Sequence, residues 1–312
     1  MMDVSTGELY LEQALASLAA QTFTDFEIVL CAHGANPATA AIVAKWEGIE
    51  PRLRVIRCPR LPLAKAHIMV ASESRGALLA RLDADDVARP ERLQQQVRTF
   101  IEQPGLGFIG SAVSIINGSG EYLSIVRNPL DHAAIADATR NSCPIVHSSL
   151  MVRAELFHQA GGYRDGLNIS EDYDLYCRMI EHGRGANSDA VLVDYRIHSN
   201  SLTSRQTLRM AIANEAIRVA GLARRNGTAE PFVDGTPSLR RTGALLGLSR
   251  KAIRRNVLAT AAQSKTSRRL LTGRLSHRVN GWLRNLALQL GLRPVYSALF
   301  KVRVWLIERF GR

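Results

Sequence analysis

Two hydrophobic periods alternate along the first part of the chain. Tyr10 to Gln21 sets Leu11, Ala14, Leu15 and Leu18 on one helical face, and Phe26-Glu27-Ile28-Val29-Leu30-Cys31 follows as a short strand. Pro37 to Trp46 reads as a helix, Leu53 to Ile56 as a strand, Leu63 to Ser74 as a helix and Leu78 to Leu82 as a strand. Such alternation predicts an α/β, Rossmann-like fold with a mainly parallel sheet flanked by helices. Pro90 to Gln103 is a further helix, and Phe108 to Ile116 with Tyr122 to Val126 forms a hairpin across Asn117-Gly118-Ser119-Gly120. Ile145 to Val152 reads as a strand, Ala154 to Ala160 and Asp172 to His182 as helices, and Val191 to Ile197 as the last strand.

Two points in this pattern carry chemistry. The apolar run Leu78-Leu79-Ala80-Arg81-Leu82 ends in Asp83-Ala84-Asp85-Asp86. Carboxylates packed that closely repel one another unless a cation or solvent compensates. If the strand continues, Asp83 and Asp85 share a face and reach one hard divalent ion. They fall at the carboxyl end of a strand, where sheets of this kind bind ligands. The alternative is an acidic cap for the helix that Arg89-Pro90-Glu91 opens. The second point is Ser170-Glu171-Asp172, an acidic pair at a helix start that is ordinarily a cap as well.

Charge divides the chain. Residues 1–204 hold 18 Lys+Arg against 24 Asp+Glu, and residues 205–312 hold 22 against 4. This predicts two parts, 1–204 and a basic, helical extension 205–312. Four scattered cysteines without a Cys-x-x-Cys spacing read as reduced core thiols, favouring a cytosolic setting. No signal peptide and no run of about 18 apolar residues stands out, so neither export by a standard signal nor a membrane span is expected.

The order and spacing of several fragments resemble family-2 glycosyltransferases of the GT-A fold over about residues 8–204. The fragments are Tyr10-Leu11 with Ala14-Leu15, Gln21-Thr22-Phe23, Ala80-Arg81-Leu82-Asp83-Ala84-Asp85-Asp86, and Pro90-Glu91-Arg92-Leu93 with Gln96. They continue with His147-Ser148-Ser149, Gly161-Gly162-Tyr163, Glu171-Asp172-Tyr173-Asp174-Leu175 with Arg178, and Tyr195-Arg196-Ile197-His198. The resemblance implies an inverting transfer of sugar from a nucleotide-diphosphate sugar to a hydroxyl acceptor. Asp83 and Asp85, with Arg81, would hold the donor, and Asp85, Asp83 and His198 would hold Mg²⁺ or Mn²⁺. Asp172 would be the general base and Glu171 would shape its site, while His147, Tyr163 and Arg196 would line the acceptor side.

The chain also departs from the family pattern. Only Met1 to Gly7 precedes the first helix, so the opening strand is expected to be missing, as a late choice of start site would leave it. Cys31-Ala32-His33-Gly34 lacks the acids usual at the end of the second strand, and Ala66-His67-Ile68-Met69-Val70 replaces the Ala-Arg-Asn-x-Gly-like segment of the third helix. The nucleotide-binding segment therefore reads as degenerate. Two rivals follow: an inactive relative acting as a sugar-binding scaffold, and a haloacid-dehalogenase-like phosphatase with Asp83 as nucleophile. The phosphatase expects a later lysine, and residues 88–250 contain none. Paired arginines among apolar residues suit residues 205–312 to peripheral contact with an anionic membrane, placing the enzyme on the cytoplasmic face beside a glycan or lipid-linked acceptor. No motif supports nucleic-acid binding.

Overall fold

Met2, Asp3 and Val4 are buried and form β1 (Met2–Val4), which corrects the expectation of a missing opening strand. Its apolar side chains alternate with Asp3, so one face joins the core and the other delivers a carboxylate. α1 (Leu11–Ala19) buries Leu11, Ala14, Leu15 and Leu18, the face its periodicity predicts. β2 (Ile28–His33) is buried at every position, as a strand covered on both faces must be. Asn36 caps α2 (Pro37–Ile49) by accepting from the Thr39 amide at 2.8 Å, with Pro37 in the first turn. β3 (Leu53–Cys58) and α3 (Leu63–Glu73) follow, and α3 turns Ala64, Ala66, His67, Val70 and Ala71 inward. Small alanines let this helix sit close to β1 and β2 and carry His67 with it.

β4 (Leu78–Ala80) and the two-residue β5 (Val87–Ala88) bracket the acid-rich turn, and α4 (Arg92–Glu102) comes next. The hairpin of β6 (Leu106–Asn117) and β7 (Tyr122–Val126) is antiparallel, as the glycines between them predict. After α5 (His132–Ala138), the expected strand 145–152 is mostly absent. His147–Ser149 is a 3-10 turn, and only Met151–Arg153 extends as β8. α6 (Ala154–Gln159), α7 (Glu171–His182), β9 (Arg184–Ile197) and α8 (Thr207–Arg225) follow, then a small hairpin of β10 (Phe232–Val233) and β11 (Thr236–Pro237).

Strands β1, β2 and β3 form one parallel sheet. The other runs β4-β8-β6-β9-β5 with β7 beside β6; its long β6–β9 pair is parallel and its other pairs antiparallel. The Met1 nitrogen donates to the Ala80 carbonyl at 2.8 Å, and the Leu82 amide donates to the Met1 carbonyl at 3.2 Å. This is the pattern of one parallel bridge, so β1 seats beside the end of β4 and the two sheets meet at the acid-rich turn. A shared core of Met2, Val4, Leu11, Leu15, Leu30, Val113 and Val193 runs beneath that seam.

The structure is a computed structural model and describes residues 1–7, 9–198, 206–238 and 242. The chain divides into the units Met1–Lys265 and Thr266–Arg312, and every described residue belongs to the first. Most of the basic region expected to be helical lies outside the described residues. Among those described, no helix is long and apolar enough to cross a membrane.

Leu30, opposite Met2 in register, is fully buried where β1, β2 and α1 meet. Leu30→Ala is expected to destabilise the fold by about 2–5 kcal/mol, since the cavity it leaves cannot collapse against a sheet. Urea unfolding measures this; a loss below about 1 kcal/mol would show that β1 does not close this core.

Candidate active site

The acid-rich segment leaves β4 as a turn, not as a continued strand. The Asp86 amide donates to the Asp83 carbonyl at 3.2 Å, which curls Asp83, Asp85 and Asp86 together until one oxygen of each lies within 4.8 Å of the others. The shared-face reading of Asp83 and Asp85 is therefore corrected in its cause: the turn gathers them, and it adds Asp86. Ser148 Oγ accepts from the Asp83 amide at 3.0 Å, fixing the turn to the 3-10 segment.

Arg196 holds the other side. Its amide donates to Asp86 Oδ1 at 2.7 Å, its Nε to the Asp85 carbonyl at 2.8 Å and its Nη2 to Gln13 at 2.7 Å, with the guanidinium over the Tyr10 ring. Predicted to line the site, Arg196 is buried and ties the acid turn to α1 and to the end of β9. Two residues on, His198, expected to join Asp85 and Asp83 at a metal, lies with its Nε2 2.8 Å from Asp85 Oδ2.

Crowding marks these acids. Burial and the charge of Asp83 raise the pKa of Asp85, and burial with the charges of Asp85 and Asp83 pushes that of Asp86 well up. A hard divalent cation relieves that repulsion, and a set of carboxylate oxygens with one imidazole nitrogen fits Mg²⁺ or Mn²⁺. His198 would have to exchange its bond to Asp85 for such an ion.

Ser170, at a φ of 59°, turns the chain sharply into α7 and presents Glu171 and Asp172 at its first turn. Asp174, further along, is the structural acid, paired with Arg178 at 2.7 Å and Arg164 at 3.3 Å. Burial lifts Glu171 to about 7, against the lowering influence of His67. Burial and the charge of Asp83 raise Asp172, and a run of contacts through Arg81, Asp3 and His67 joins Asp83 to Glu171. Cys143 Sγ lies 3.6 Å from Asp172 Oδ2, so this exposed thiol is not the core thiol the sequence suggested.

Between the acidic groups lies a network that sequence reasoning missed. Arg81 Nη2 donates to Asp3 Oδ1 at 2.7 Å and pairs with Asp83 Oδ1 at 2.6 Å, while its Nη1 donates to the Leu82 carbonyl. His67 Nε2 lies 2.9 Å from both Asp3 Oδ1 and Arg81 Nη2, and its Nδ1 lies 3.5 Å from Glu171 Oε1. His147 Nε2 and the Tyr163 hydroxyl share a hydrogen bond of 2.8 Å, and both rings pack on His67 at 5.3 and 5.0 Å. Both are buried and back the network. The available signal was Asp3 alone in an apolar segment; His67 gave none beyond its place in a degenerate motif.

The description "Glycosyl transferase family 2" matches residues 5–160. The O-antigen biosynthesis glycosyltransferase WbnJ of Escherichia coli is 28% identical over 205 residues, 64% of this chain and 80% of that protein. The amylovoran biosynthesis glycosyltransferase AmsE of Erwinia amylovora is 30% identical over 198 residues, 63% of this chain and 74% of that protein. Among solved structures, S. aureus TarS 1-349 in complex with UDP-GlcNAc superposes with a TM-score of 0.56 at 15% identity, covering 86% of this chain and 91% of that one. The mannosyltransferase PcManGT from Pyrobaculum calidifontis, in complex with GDP-Man and Mn²⁺, gives a TM-score of 0.52 at 17% identity, covering 98% and 84%. These two share the fold.

The raised pKa of Glu171 fixes how stability should vary with pH. A carboxyl lifted in the fold contributes stability that is fully present below its unfolded pKa and is lost as pH rises through about 7. Glu171→Gln abolishes that loss. At pH 8 the variant is expected to be more stable than the parent by roughly 2–3 kcal/mol, the gap closing toward pH 4. Urea unfolding across this range reads it, and a variant less stable at pH 8 contradicts the placement of Glu171.

Proposed function

The chain belongs to glycosyl transferase family 2, and we propose that it transfers a sugar from a nucleoside diphosphate donor to an acceptor hydroxyl, with inversion, in building a surface polysaccharide or lipid-linked glycan. The observation that carries this reading is the presence of two separately built acid groups, Asp83 with Asp85 and Asp86 in one turn and Glu171 with Asp172 at the start of α7, joined through Arg81, Asp3 and His67. A donor diphosphate needs cationic compensation at one end of the reacting centre, and an acceptor hydroxyl needs a proton acceptor at the other.

Asp83 and Asp85, with His198, would hold Mg²⁺ or Mn²⁺, which when bound supplies positive charge for the diphosphate that departs. Asp172 then takes the proton of the acceptor hydroxyl. The oxygen forms its bond to the anomeric carbon as the bond from that carbon to the diphosphate breaks on the opposite face. Partial burial raises Asp172 toward the working range of a base without removing it from solvent contact. Arg81 bonds to Asp83 directly and would orient that acid toward the donor.

Support for the substrate class comes from the relatives: WbnJ and AmsE are named for O-antigen and amylovoran biosynthesis, and TarS and PcManGT were solved with UDP-GlcNAc and GDP-Man. The basic composition of residues 205–312 supports a peripheral seat on an anionic membrane, where a lipid-linked acceptor would be met. Family membership leaves the phosphatase reading without support.

Calorimetry with UDP- and GDP-sugars, with and without Mn²⁺, tests the assignment. Asp85→Ala is expected to weaken Mn²⁺-dependent donor binding at least tenfold. Asp172→Asn should leave binding within about threefold and lower turnover by about 10²–10⁴. A chain that binds no nucleotide sugar under either condition refutes the reading, and one that binds without any turnover is the sugar-binding scaffold instead.

A further inference from the structure

The chemistry above leaves Asp3 and His67 without a task, although both are buried at the meeting of β1, α3 and α7. They complete a run of alternating charge. Asp83 pairs with Arg81 at 2.6 Å, Arg81 with Asp3 at 2.7 Å and Asp3 with His67 at 2.9 Å, and His67 faces Glu171 at 3.5 Å. Apart from Asp83 every member is nearly closed to solvent, so charge at one end is felt at the other with little screening. Such a run is no bargain for folding, because apolar side chains would fill the same space at lower desolvation cost.

We infer that His67 is a positioning residue for the transfer: held by Asp3 through one ring nitrogen, it directs the other at Glu171 and keeps that neighbour of the base Asp172 a carboxylate in fixed geometry. The inference rests on the transferase reading. Ring orientation is set independently of the acids, since His147 and Tyr163, bonded to each other, pack against two sides of His67. Nδ1 makes no hydrogen bond among the described residues, so its interaction with Glu171 is one of charge. The groups facing the ring are Asp3 from β1, His33 from β2, Arg81 beyond β4, His147 and Tyr163 from the loops, and Glu171 with Asp172 from α7. The acids outweigh burial and the nearby guanidinium, raising the pKa of His67, and His67 in turn lowers that of Glu171.

Two measurements on the full chain test this. In ¹⁵N-histidine spectra recorded across a pH series, the ring missing from His67→Gln is expected to keep both nitrogens protonated to a higher pH than the same ring does in Asp3→Asn. A ring that loses its second proton at the same pH in both chains overturns the inference whatever the activity. The second measurement is release of nucleoside diphosphate from whichever UDP- or GDP-sugar the parent chain turns over with Mn²⁺. His67→Gln should lower kcat at least tenfold with donor affinity within threefold, and His67→Arg, which restores the cation, should recover most of that loss. Equal losses in both variants, or a fall confined to donor affinity, also overturn it. A parent chain that turns over no donor refutes the transferase reading and the positioning role with it, while the ring spectra still report whether the charged run exists.

Discussion

Carboxylates must be gathered without being neutralised, and the ion pair of Arg81 with Asp3 is where this fold meets that demand. Asp3, Asp83, Asp85, Asp86, Glu171 and Asp172 gather near the junction of two sheets, Asp3, Asp86 and Glu171 buried and the other three half-buried. Left to themselves they would protonate, as the raised values of Asp85, Asp86 and Glu171 show in part. Arg81 stands at their centre with one guanidinium nitrogen shared between Asp3 and Asp83. Asp3 answers with a carboxyl held well below the usual range despite its burial, because His67 and Arg81 both face it. Removing one member of such a pair would strand a buried charge, a loss of about 3–5 kcal/mol. The short strand β1 is therefore indispensable for a reason unrelated to its length.

The surrounding backbone is irregular, and buried polar side chains satisfy it. Arg92 donates to the Arg81 carbonyl at 2.7 Å and to that of Leu150 at 3.2 Å, and Gln96 donates to the Ser149 carbonyl at 2.7 Å. Gln21 bonds the Arg89 carbonyl at 2.8 Å and accepts from the Leu93 amide at 3.0 Å. A parallel sheet would have met these groups through its ladder; here the chain turns away from the ladder to present acids, and side chains take over. In this chain the fragments Gln21-Thr22-Phe23 and Pro90-Glu91-Arg92-Leu93 with Gln96 thus hold backbone in place rather than supply chemistry. Arg196 does the same from the opposite flank, which is why its charge faces carbonyl oxygens and a ring instead of a substrate space.

Periodicity was enough to find α1, β2, α3, α7 and the β6–β7 hairpin, because each buries residues that its own pattern specifies. The acid turn, the Glu171-Asp172 pair and His198 were equally plain, since unusual residue types stand at element ends. What escaped notice depends on contacts distant in sequence. Asp3 meets Arg81 across 78 positions, and nothing around Met2-Asp3-Val4 announces a strand except burial supplied by Leu30 and Leu15. The 3-10 turn at His147–Ser149 reads as strand in the sequence because its apolar neighbours pack as a strand would. Its hydroxyls instead cap the acid turn and the β6 backbone.

The same geometry accounts for the plain end of β2. Ala32 and His33 stand where the family carries acids, yet His33 is buried, its Nδ1 accepting from the Leu61 amide at 3.1 Å and its Nε2 lying 3.9 Å from Asp3 Oδ2. Burial and Arg60 hold its pKa down despite Asp3. A second carboxylate here would lie beside Asp3 with no further cation to offset it, because Arg81 and His67 are already committed. Once Asp3 occupies β1, neutral residues at the end of β2 are what electrostatics permits. The carboxylate on this flank is that of Asp3 on β1, and His67 stands beside it. Three departures far apart along the chain thus meet in space at Asp3, His33 and His67.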